Sequence, residues 1–157
     1  MKEIALTGTA SRIFGDVLGQ LLKHGLSVNA FVDEPEKIML DDSRLTVSHL
    51  DVTDETKSRE AFAGYDTAVL VYNDDLRDAR TNELTLKTFT RTVHAAREAG
   101  VKRVIVVGSE NSEAFFVTDL RRLDDIDWLF VSNVGPYAKR VRKEIEKPSR
   151  HNCVYEA

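Results

Sequence analysis

The sequence predicts an α/β fold: a doubly wound parallel sheet in one three-layer domain, helices on both faces, with strand order 3-2-1-4-5-6. Three observations lead there. Short apolar runs alternate with longer amphipathic ones along the chain. Two of those runs, Thr67–Tyr72 and Arg103–Val107, are almost continuously apolar and rich in valine, as a strand buried on both faces requires. The chain has 157 residues, 42% hydrophobic and 31% charged, enough for one packed core without a disulfide or metal staple.

Taken in order, Ile4-Ala5-Leu6 is the first strand. Val17, Leu18, Leu21 and Leu22 then form one apolar helix face that Gly25 ends. Ser27–Val32 is the second strand and Leu45-Thr46-Val47 a weaker third. Thr53 or Asp54 caps a helix that runs through Ala61 and Phe62 to near Gly64. After the fourth strand, Leu86, Phe89, Val93 and Ala96 keep helical spacing up to Gly100. The fifth strand follows, and Ser112 opens a shorter helix carrying Phe116, Leu120 and Leu123. Trp128-Leu129-Phe130-Val131 is the sixth strand. Residues 1–137 make up this unit, and residues 138–157 are expected as a charged C-terminal helix and tail of the same domain. In that tail only Val141 and Ile145 stand at i,i+4, so a solvated helix is expected.

The balance of 22 Lys and Arg against 26 Asp and Glu gives a net charge of −4, which argues against a general nucleic-acid binder. The apolar run near Met1 is too short for a signal peptide or a membrane span, so a cytoplasmic protein with no membrane partner is expected. The lone Cys153 has no internal disulfide partner and suits a reducing compartment. His24, His49, His94 and His151 show no metal-ligand spacing, and no metal is expected. A homo-oligomer is compatible with the sequence.

Ile4 to Gly15 reads as a strand, a turn of small residues and a helix start. Such a turn aims backbone N–H groups and the positive end of a helix dipole at a pyrophosphate. Of the three glycines in the usual fingerprint, only Gly8 is in place. Ser11 stands at the second position, Phe14 at the third, and Gly15 falls one residue late. Gly8, Thr9, Ala10, Ser11, Arg12 and Ile13 are therefore the candidate cofactor turn, with Arg12 either meeting a phosphate or simply solvated.

These features resemble the NAD(P)-binding Rossmann family of extended and atypical short-chain dehydrogenases, in its NAD-dependent epimerase/dehydratase-like and NmrA-like branch, with a degenerate glycine motif. The resemblance is carried by Thr7-Gly8-Thr9-Ala10-Ser11, by Phe31 to Lys37, and by Asp51-Val52-Thr53-Asp54. It continues in Ala99 to Ser109, and in Asp127-Trp128 followed by Gly135-Pro136. It implies a dinucleotide-binding oxidoreductase or epimerase-like protein with a small-molecule substrate. Asp33 would accept hydrogen bonds from the adenosine ribose and repel a 2′-phosphate, so NAD is expected over NADP; a helix cap is its other reading. Asp51 and Val52 would hold the adenine, with a cap again the alternative. Tyr72 and Asn73, at the end of the fourth strand, would line the cofactor or a ligand.

The departures bear on catalysis. Active members carry Tyr-x-x-x-Lys after the fifth strand, a tyrosine acid/base made usable by its lysine. Here that helix contains Phe115 and Phe116, followed four residues later by Asp119 and Leu120. Ser109, near the family's catalytic serine, and Tyr137, followed four residues on by Val141, are weak candidates. Three functions stay open: an oxidoreductase or epimerase-like enzyme, a non-catalytic dinucleotide sensor, and a cofactor-free scaffold. The last is suggested by Phe14 in place of a glycine that permits close approach.

Overall fold

The computed structural model describes residues 3–8, 11–72, 79–146 and 153–155. Strands β1 (Glu3–Gly8), β2 (Ser27–Val32), β3 (Leu45–His49), β4 (Thr67–Val71), β5 (Arg103–Gly108), β6 (Asp127–Ser132) and β7 (Cys153–Tyr155) form one sheet. Its order is β3-β2-β1-β4-β5-β6-β7, and every neighbouring pair is parallel. The first six strands stand in the expected order. The seventh is an addition to it: β7 pairs with β6 through only three residues, too few for a period in the sequence to show.

The helices are α1 (Arg12–Lys23), α2 (Glu55–Phe62), α3 (Ala79–Glu98), α4 (Glu113–Leu120) and α5 (Tyr137–Glu146). All five residues of β4 are buried, which is why that run has no polar alternation. The two faces are sorted by strand period. On one face Leu70, Val104 and Val106 meet Phe62, Phe89 and Phe116 from α2, α3 and α4. On the other, Val69, Val71, Ile105 and Val107 meet Phe14, Val17, Leu18 and Leu21 of α1. Val141 and Ile145 of α5 join the second cluster and Glu144 is buried beside them, so the charged segment is in part a wall of the core.

Phe14 is fully buried in that second cluster. Its ring points into the seam between α1 and the sheet, the place where a glycine would otherwise let helix and strand close up. Truncation there removes a phenyl ring from a closed core. Phe14→Ala is expected to lower stability by about 3–5 kcal/mol, read as a lower midpoint in chemical denaturation with the folded circular-dichroism spectrum retained.

Candidate functional site

Strand order reverses between β1 and β4. From β1 the chain winds outward through β2 and β3, then returns to the other side of β1 as β4. Ligands of open α/β sheets bind beyond the carboxyl ends of the strands at such a reversal. A cleft of about 470 Å³ lies there. Thr7 and Gly8 form its floor, Phe31 to Asp33 and Leu50 to Thr53 one side, and Tyr72 with Thr85, Thr88 and Thr92 of α3 the other.

Gly8 sets the floor. Its φ is +153°, and a Cβ on it would run into the carbonyl oxygen of Val71. Beside it, Thr7 Oγ1 donates to the Phe31 carbonyl at 2.7 Å and ties the end of β1 to β2. Ser11 caps α1, its hydroxyl accepting from the Phe14 N–H at 3.3 Å. Arg12 holds an exposed guanidinium 4.0 Å from Asp16, and Ile13 packs partly buried on the α1-side core. Ser11, Arg12 and Ile13 thus flank the cleft without lining it. Thr9, Ala10 and Asn73 lie outside the described residues.

Asp33 is exposed in the cleft wall. It does not cap the short 3-10 turn Pro35–Lys37, whose cap position is Glu34. The Glu34 carboxylate pairs instead with the Lys37 ammonium at 2.9 Å. Asp51 is a turn residue too: its Oδ1 accepts from the Thr53 N–H at 2.9 Å and the Thr53 hydroxyl at 2.5 Å. These bonds hold the Asp51 carboxyl below the ordinary carboxylate range. The helix cap is Asp54, which accepts from the Lys57 N–H at 3.1 Å. Val52 is half-buried against the core. Tyr72 is half-buried as well, its ring edge-on to Phe89 at 5.5 Å and tilted over Phe116 at 5.0 Å.

The fold therefore brings Gly8, Asp33, Asp51, Val52 and Tyr72 from four strand ends to one cleft. Sequence reasoning missed the threonines of α3. Their signal was the spacing Thr85, Thr88, Thr92, i, i+3 and i+7 on one helix face. Ser109 stands elsewhere: its carbonyl accepts from the N–H and hydroxyl of Ser112, and its own hydroxyl is buried with no partner among the described residues. His94 Nε2 lies 3.0 Å from Glu98 and 3.7 Å from Glu55, and Arg59 takes the other Glu98 oxygen at 2.9 Å. That network joins α2 to α3 on the exposed side.

Tyr137 begins α5, packed against α1, and its hydroxyl donates to the Asp16 carboxylate. Burial first, and then Asp16, push the phenol up to about 12. A phenol so placed stays protonated near neutral pH and does not serve as a general base.

A profile of the NAD(P)H-binding family matches residues 8–144, and the chain belongs to that family. No curated protein matches it in sequence. Among solved structures it is similar to a candidate epimerase from Bacteroides thetaiotaomicron, with TM-score 0.84 and 23% identity over 99% of this chain and 95% of that one. It is also similar to the triphenylmethane reductase of Citrobacter sp., with TM-score 0.70 and 27% identity over 85% of this chain and 49% of that one. That reductase has also been solved in complex with NADP(H). An NADPH-dependent quinone oxidoreductase from Escherichia coli shares the fold at TM-score 0.66 and 22% identity, with 83% of this chain and 48% of that one covered. The chain spans about half the length of these two reductases. Together these place it as a Rossmann-fold member of an NAD(P)H-binding family. Among the described residues no helix is long and apolar enough to cross a membrane.

The Tyr137–Asp16 contact has a pH signature. A phenol titrates near 10 when unfolded, and here near 12 in the folded chain. A raised folded value means the contribution is fully present below about pH 10. It is lost as pH rises toward 12. Tyr137→Phe is expected to lose this component of the alkaline fall in stability, measured by denaturation at pH 9, 10 and 11.

Proposed function

We propose that the protein is an NAD-binding, oxidoreductase-like member of its family that seats the adenosine half of the dinucleotide in the cleft between β1 and β4. The observation that carries this reading is the convergence of Gly8, Asp33, Asp51, Val52 and Tyr72 on one crevice at the switch point. Gly8 lines the floor of the cleft, and Arg12 sits one helical turn from its present partner Asp16, exposed enough to turn toward phosphate oxygens. Phe14 does not obstruct that turn, because its side chain is spent in the core. This is the reason to prefer a binding protein to a cofactor-free scaffold. A reducing, cytoplasmic setting suits the single cysteine.

The choice of NAD over NADP rests on charge. The Asp33 carboxylate is a good acceptor for ribose hydroxyls and a poor neighbour for a 2′-phosphate. The nearest lysine in sequence, Lys37, is engaged by Glu34. Bound NAD would supply the hydride or accept it. The chain's contribution is to hold and orient the adenosine end, and Tyr137, bonded to Asp16, takes no part in the transfer. With Phe115 and Phe116 in the helix after β5, no tyrosine relays the substrate proton there, so the acceptor takes its proton from water or needs none. Binding without turnover is the second reading, and the missing Tyr-x-x-x-Lys pair favours it.

Calorimetric titration with NAD, NADH, NADP and NADPH tests the binding. NAD is expected to bind more tightly than NADP. Asp33→Ala should weaken NAD by about 1.5–3 kcal/mol, the range for a hydrogen bond to a charged group, and narrow the gap to NADP. Tighter binding of NADP by the wild type would remove the role given to Asp33, and absence of all four would remove the reading itself. In a turnover assay over quinone, aldehyde and sugar-nucleotide substrates, Tyr137→Phe is expected to leave any rate unchanged.

A further inference from the structure

The network on the outer side of α2 and α3 is built from metal-ligand atoms as well as charges. His94 and Glu98 stand at i,i+4 on α3, so their side chains share one face of that helix. Glu55, in the first turn of α2, reaches the same spot from the neighbouring helix. His94 Nε2 lies 3.0 Å from Glu98 Oε1 and 3.7 Å from Glu55 Oε1. Each of the three residues offers one ligand atom, and these atoms all lie within 4.8 Å of one another. Histidine spacing in the sequence passes over this set, because two of its members are carboxylates and one of those comes from the preceding helix.

Hydrogen bonding accounts for only part of the arrangement. An imidazole nitrogen carries one hydrogen or one lone pair. A proton on Nε2 serves Glu98 at 3.0 Å and leaves Glu55, at 3.7 Å, beyond hydrogen-bond range. A metal ion on the same nitrogen serves all three atoms. In a tetrahedral zinc site with bonds of about 2.0–2.2 Å, ligand atoms stand about 3.3–3.6 Å apart. The two separations from Nε2 bracket that spacing. Arg59 takes Glu98 Oε2 at 2.9 Å and so turns Oε1 toward His94, the orienting role that outer partners play around a metal. Arg59, and then His94, also hold the Glu98 carboxyl below the ordinary range, so it is ionised near neutral pH. Two carboxylates against one guanidinium leave the group net negative while His94 is neutral. All three ligand side chains are half exposed, so an ion enters directly from solvent.

We propose that Glu55, His94 and Glu98 form a zinc-binding site that clamps α2 to α3. Imidazole together with carboxylate suits Zn²⁺, whereas Mg²⁺ and Ca²⁺ take oxygen ligands. Three protein ligands leave a fourth place to water. None of the three lines the cleft, so the ion's role is structural and independent of the dinucleotide reading. Its effect still reaches the cleft, because Thr53 stands just before α2 and Thr92 lies on α3 beside His94, one on each wall.

Zinc chloride, titrated by calorimetry into the chelator-treated full chain near neutral pH, is the probe. Binding of one zinc ion per chain is expected, lost in His94→Gln. It is expected to weaken at least about 10-fold in both Glu55→Gln and Glu98→Gln, the least that even an outer partner of a metal site costs. Zinc should raise the unfolding temperature of the wild type and not that of His94→Gln. The substituted side chains are half exposed, so the variants should fold, which their zinc-free unfolding temperatures check. An excess of magnesium chloride should not displace the zinc; displacement overturns the choice of metal. No binding by the wild type, or equal binding by wild type and His94→Gln, overturns the site. Loss in His94→Gln with either glutamate variant at wild-type affinity overturns the clamp, since the ion is then held without that carboxylate.

Discussion

The approach of Gly8 to the carbonyl of Val71 is the contact around which the site is organised. β1 and β4 are neighbours in space although two strands and three crossovers separate them in sequence. They pair to their last residues, with Gly8 opposite Val71, and only a residue without a Cβ permits it. Because they stay paired to that point, the floor of the cleft is built of paired strand ends, Thr7 and Gly8 beside Val71. Thr7, holding the Phe31 carbonyl, extends the rigid floor to β2, where Asp33 begins the wall.

Much of the fold was legible because its elements obey the simplest rule available, burial on both faces. β4 is buried throughout and β5 at every residue after Arg103, so nothing masks their apolar character. The stripe Leu86, Phe89, Val93, Ala96 needed only a count of turns. β7 escaped because three residues show no period, and what holds it is backbone pairing with β6. The segment read as a solvated helix escaped in part. Val141 and Ile145 were visible at helical spacing, but that α1 offers them a partner is a fact of topology.

At the site the division is similar. Gly8, Asp33, Asp51, Val52 and Tyr72 all stand just after strands, so a reading by strand ends finds them, and the parallel sheet gathers them without further design. The alternatives left open at Asp33 and Asp51 were both caps, and local hydrogen bonding alone separates them: Glu34 and Asp54 hold the cap positions instead. The α3 threonines belong to a helix, where threonine at a buried face carries no special meaning until the opposite wall is known. Phe14 misled in the other direction. In the one-dimensional fingerprint it stands where a glycine belongs, yet its side chain leaves the turn and enters the core.

The short β7 alters what the molecule shows to its neighbours. β6 is buried along all six residues, so it would make a poor outermost strand: apolar on both sides, with an open row of amide and carbonyl groups ready to recruit another chain. Three residues from beyond α5 cover that row at Leu129, Phe130 and Val131. The apolar edge of β6 is thereby paired over those three residues, where an open one would be a template for another chain.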